Sequence, residues 1–175
     1  SVEVARMGSI ALKSLNAAMG AINTKSLDDL KTVAQCEQTL DDMQEALTEY
    51  LIKVDNLSLS ESQKKHVNNL FNMVTDIERV GDHADNLSEN AKYMIDNNLE
   101  FSDLAKEDLA EISKDAIDAF ETAINASGAN ALGAVRKVNK LEDKVDMLED
   151  ELREKHIDRL TRGECNPQSG IAFLD

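Results

Sequence analysis

Glu78 and Asp82 are the residues of this 175-residue chain best placed to do chemistry. They stand four apart in residues 75–91, TDIERVGDHADNLSENA, a stretch that reads as helix. Side chains at that spacing sit one above the other and can share a ligand. Counting from Val67 at about 100° per residue, Val67, Leu70, Phe71, Val74 and Ile77 form one apolar stripe. Glu78 projects onto that stripe, Gly81 and Asp85 lie on it, and Asp82 stands at its margin. Asp76, Arg79 and His83 point the other way, towards water. An acid on a buried face is costly unless something neutralises it. Two ionised carboxylates so close also repel, and a bound cation reverses that sign. Gly81 leaves space on the same face for an ion or a neighbouring helix.

Two further acidic pairs share the spacing, Glu37 with Asp41 and Glu142 with Asp146. They are weaker candidates, because any acidic helix offers such pairs and most are solvated. Glu37/Asp41 reads as well as a bundle-edge pair, and Lys140 and Lys144 lie within one turn of Glu142/Asp146 and would neutralise it. An all-oxygen set suits hard ions, so Fe, Mn or Mg is expected ahead of Zn. His66, His83 and His156 do not assemble into a recognisable set, and His83 is expected at the surface. The Glu-x-x-His spacing of diiron bundles is absent. No nucleophile–base arrangement, glycine-rich phosphate loop or evident anion cradle can be found. The sequence argues against an enzyme.

The elements that must carry these residues are helical. Aromatic residues make up 3% of the chain, with no Trp and one Pro, so the β-branched and aromatic runs of a sheet protein are missing. Thirty-four acidic residues against 19 basic give a formal charge of −15, which repels phosphate backbones and excludes nucleic acid as a partner. Cys36 and Cys165 form neither a zinc motif nor a disulfide framework, and reduced thiols in the cytosol are expected. No run approaches the roughly 18 apolar residues of a membrane span.

Helical spacing predicts a first helix over residues 3–23 and a second over 27–55, capped by Ser26. The second has a heptad seam of Leu30, Val33, Glu37, Leu40, Gln44, Leu47, Leu51 and Val54. Ser58 with Glu61 predicts a capping box for a third helix ending near Asn97. Ser102 caps a fourth helix ending near Ala126, and residues 127–130 form a turn. A fifth helix runs from Ala131 to about Arg162, with Val138, Leu141, Val145, Leu148 and Leu152 as its seam and Gly163 at its C-cap. Asn166-Pro167 opens a sixth. A purely structural bundle is the competing reading, but Glu37, Gln44 and Glu78 interrupt the uninterrupted heptads it predicts.

The chain also repeats itself. Glu37-x-x-Leu40-Asp41-x-Met43 is echoed by Glu142-x-x-Val145-Asp146-x-Leu148, and Ala18–Asn23 by Phe120–Asn125. Two tandem antiparallel three-helix units are expected, residues 1–98 and an incomplete 99–175. Within this frame Glu78-Arg79-Val80-Gly81-Asp82-His83-Ala84, followed by Asn86 and Glu89, resembles the E/D-x-x-x-D signature of the PhoU family. That resemblance implies an all-α fold of two three-helix bundles, metal held on Glu78 and Asp82, and a regulatory role in phosphate transport. Residues 2–8 and 164–175 are similar to flanking segments in the cytoplasmic domain of bacterial sodium/phosphate cotransporters. Such a domain would act at the cytoplasmic face of the membrane, with the membrane-embedded half as partner and inorganic phosphate involved indirectly. The uncovered faces of the fourth and fifth helices predict a homodimer.

Overall fold

In the computed structural model, which describes residues 2–126 and 131–174, the chain is all-α, and no strand occurs among the described residues. Its helices are α1 (Val2–Thr24), α2 (Leu27–Asp55), α3 (Glu61–Asp96), α4 (Asp103–Ile124), α5 (Ala131–Thr161) and α6 (Pro167–Leu174). The expected turn at 127–130 lies outside the described residues.

Local chemistry sets the helix ends. Ser26 Oγ accepts from the Asp29 amide at 3.1 Å, and Ser102 Oγ accepts from the Ala105 amide at 3.3 Å, each satisfying a donor the helix leaves free. The third helix corrects the sequence reading. Its capping box is made by Ser60 and Gln63, two residues on from the expected pair: the Ser60 amide donates to Gln63 Oε1 at 2.9 Å, and the Gln63 amide approaches Ser60 Oγ at 3.4 Å. Two helices end in Schellman motifs. Asn98 adopts φ 53° after α3, with Leu99 N–H on the Met94 carbonyl; Gly163 adopts φ 72° after α5, with Glu164 N–H on the Arg159 carbonyl. Asn166 Oδ1 accepts from the Gln168 amide at 2.8 Å and opens α6.

The chain divides into two compact units, one formed by α1 as far as Ala21 with Ser26–Ser88, the other by Ile22–Lys25 with the chain from Glu89 onwards. In the first, Ala17 and Ala18 of α1, Val33 of α2 and Ala84 of α3 share a buried cluster. At the opposite end Val4, Leu47, Leu51 and Leu70 line one apolar groove. The start of α1 thus meets the end of α2 and the start of α3, so α2 runs antiparallel to both neighbours, as short connections require. Small residues let the helices approach. A Cβ at Gly81 would lie 2.5 Å from Leu40 Cδ1, so α2 and α3 are in closest contact there.

In the second unit α4 packs along α5. Two ion pairs tie them, Lys144 Nζ to Asp115 Oδ2 and Arg159 Nη1 to Asp108 Oδ2, both at 2.6 Å. Met94, Leu99, Phe101 and Ala105 form the core, and Phe173 of α6 packs its ring edge-to-face on Phe101 at 5.7 Å. No described helix is long and apolar enough to cross a membrane.

Candidate metal centre

The expected phasing of α3 holds side chain by side chain. Val67, Val74, Ile77 and Gly81 are buried, Glu78 and Asp85 are partly buried, and Asp76, Arg79, Asp82 and His83 are exposed. On α2 the seam positions Val33, Leu40 and Leu51 are buried, and Glu37 and Gln44 are partly buried between them. Glu37 therefore faces the interior of the first unit, not a solvated edge. Its carboxylate is brought against α3: a Cβ at Gly81 would lie 3.5 Å from Glu37 Oε2. The bare face of the glycine admits Leu40, and the acid lies beside it.

Electrostatics draws the same cluster. Burial raises the Glu37 carboxyl from its ordinary 4.5 to about 7, and the charges of Asp41, Asp82, Asp85 and Glu78 push the same way. Glu78 is also raised, first by burial, then by Asp82 and Asp41, with Arg79 opposing. Glu37 Oε2 is buried and has no hydrogen-bond partner. Five acids from two helices thus act on one another around a carboxylate oxygen whose lone pairs are unused. Asp85 has local help, since Ser88 Oγ donates to it at 3.4 Å.

This donor set fits a hard cation. It is all oxygen, it carries excess negative charge, and its most buried oxygen lacks a partner. Among the described residues no group of three or more Asp, Glu, His or Cys side chains is placed to hold a metal ion, so these acids suit a cation by chemistry and would have to draw together to ligate one. A cation would be held by Glu37, Glu78 and Asp82, with Asp41 beside them. The pair on α5 is different. Glu142 and Asp146 are both exposed. Lys144 does not serve them as the sequence implied; it reaches across to Asp115 and Glu111 of α4.

Sequence spacing ranked Glu37 below Glu78, and it passed over a second polar cluster. His156 and Arg159 are buried in α5, where His156 stacks on Phe173 at 4.6 Å. The signal was present: these two residues continue the seam of Val145, Leu148 and Leu152 at helical spacing, so they are polar residues at core positions, as Glu78 is.

Residues 4–91, just over half of the chain, match the PhoU domain family. The chain is 25% identical over 126 residues to a protein of Clostridium acetobutylicum described as a phosphate-specific transport system accessory protein PhoU homolog. That match takes in 67% of this chain and 57% of the relative, so the chain spans little more than half of the relative's length. No solved structure matches.

Proposed function

The chain belongs to the PhoU domain family, and we propose that it is a metal-binding regulatory domain of phosphate transport and not an enzyme. The observation that carries this reading is the inward-facing Glu37 carboxylate, unpartnered and buried, with Glu78, Asp82 and Asp41 acting on it. A cation bound there would supply the positive charge that keeps all four groups ionised together. The chain's own contribution is placement. Gly81 and Leu40 set the close approach of α2 and α3, so a change in occupancy acts directly on how tightly those two helices pack.

We infer further that the domain belongs to a sodium/phosphate cotransporter-like protein and works at the cytoplasmic face of the membrane. Support for this lies in the character of residues 2–8 and 164–175, described above. A stand-alone phosphate-uptake regulator is the second reading, favoured by the relative described as an accessory protein. Both readings share the carboxylate site and differ in the partner, which is the membrane half of the same protein in one and a separate transport component in the other.

Metal content tests the shared core. The purified chain is incubated with Fe, Mn, Mg or Zn, desalted and analysed, beside a variant carrying Glu78→Ala and Asp82→Ala. Wild type should retain a bound metal that the double variant loses while its helical circular dichroism is unchanged. Equal metal in the two proteins would sink the assignment.

A further inference from the structure

A cavity of about 210 Å³ in the second unit is bounded by the first turn of α4, the end of α5 and the first turn of α6. Ser102 and Ala105 line it from α4, and Asn166, Ser169 and Gly170 from α6. Two helix N-termini therefore open onto one space, and first-turn N–H groups with the helix dipole favour negative charge there.

Buried polar side chains aim at the same place. His156 lines the cavity and is 2% exposed; the Gly170 backbone bonds at most one of its imidazole nitrogens, and the other has no partner. Ser169 also lines it, is 4% exposed, and its hydroxyl is unpartnered. One turn along α5, outside the cavity lining, Arg159 is 8% exposed; Nη1 is committed to Asp108 and the guanidinium lies over the Phe173 ring, 5.8 Å from its centroid. A buried polar group left without a partner is costly. An unpartnered hydroxyl and an unpartnered imidazole nitrogen, both buried on the wall of one cavity, indicate something that the side chains alone do not provide.

The chemistry of the set limits what that is. A hydroxyl and a neutral imidazole can each donate, and the dipoles of the two helix starts favour negative charge. Burial and the Arg159 charge hold His156 below the ordinary imidazole range, so it enters as a neutral donor. A cation is disfavoured here, because the positive ends of two helix dipoles face the cavity. Two acids line the cavity: Glu100 is paired with Lys25 at 2.8 Å, and Glu164 is exposed.

We propose that this cavity binds a small tetrahedral oxyanion of the phosphate class, contacted by Ser169 Oγ and a His156 N–H, with the positive dipole ends of α4 and α6 and the nearby Arg159 supplying compensating charge. The site uses residues of the second unit only and does not rest on the carboxylate cluster. It is tested by NMR titration of the ¹⁵N-labelled 175-residue protein with inorganic phosphate, with glycerol 3-phosphate, and with chloride at matched ionic strength. A chelator is present throughout, so the outcome is independent of metal at Glu78 and Asp82. The His156 imidazole and Ser169 amide signals should shift saturably with phosphate or with the monoester, and not with chloride. The monoester arm tells a free anion from a phosphate carried on a larger molecule. Ser169→Ala, a mild change, should weaken binding roughly tenfold, the loss of about one hydrogen bond to a charged group, and Arg159→Gln should weaken it further. No saturation with either phosphate, an equal response to chloride, or binding unchanged by Ser169→Ala would each overturn the proposal.

Discussion

Glu37→Gln should make the metal-free protein more stable, and only at high pH. The substitution keeps the shape of the side chain and removes the charge that burial and four neighbouring acids oppose. A carboxyl at about 7 in the folded chain against an ordinary 4.5 corresponds to at most about 3.5 kcal/mol, at ~1.4 kcal/mol per pH unit. Partial access of solvent to the side chain screens this, leaving about 1–2 kcal/mol. The sign follows from proton counting. Between about 4.5 and 7 the folded chain holds a proton that the unfolded chain has lost, so wild-type stability falls as pH rises through that window and stays low above it. Gln cannot titrate, so the variant lacks the fall. The assay is urea unfolding followed by circular dichroism, with a chelator, at pH 5 and pH 8. The variant should be ahead of wild type by about 1–2 kcal/mol at pH 8 and within about 0.5 kcal/mol at pH 5. A variant less stable than wild type at pH 8, or an equal gain at both pH values, would refute the placement of Glu37 in the acidic cluster. Saturating metal should reverse the order, because the variant has lost a ligand.

The close approach at Gly81 and the ion pair at Asp108 give two more tests. Gly81→Val puts branched atoms where a Cβ alone would meet Leu40 Cδ1 at 2.5 Å; unfolding should show a loss of about 2–3 kcal/mol, despite the relief of a mid-helix glycine, and retained metal should fall with it. Asp108→Ala leaves the Arg159 guanidinium buried without its 2.6 Å partner, which should cost about 3 kcal/mol in urea unfolding. Adding Arg159→Met should recover most of that loss, and a double variant as unstable as the single would count against a buried pair.

Much of the architecture was legible in the chain. Helical periodicity reports which side of a helix is apolar, and it placed the stripe of α3, the seams of α2 and α5, and the caps at Ser26, Ser102 and Gly163. Where two local signals competed, the sequence alone did not choose. Ser58 with Glu61 and Ser60 with Gln63 are equally good capping patterns, and the chain uses the second.

What periodicity does not report is which residue of another helix lies opposite. Glu37 looked like an edge acid because spacing along α2 says nothing of which residues of α3 lie opposite, and its carboxylate lies beside Gly81. Lys144 looked like the neutraliser of its own helix, yet it reaches Asp115 on α4. His156 and Ser169 were unremarkable one by one, and only the packing of α4, α5 and α6 brings them to the wall of a single cavity. The sequence by itself determined the helices, the inward phase of Glu78 and the acidic character of the site. The tertiary structure decided which charges meet, because meeting depends on the register between helices, and that register is set by small residues and buried contacts far apart in the chain.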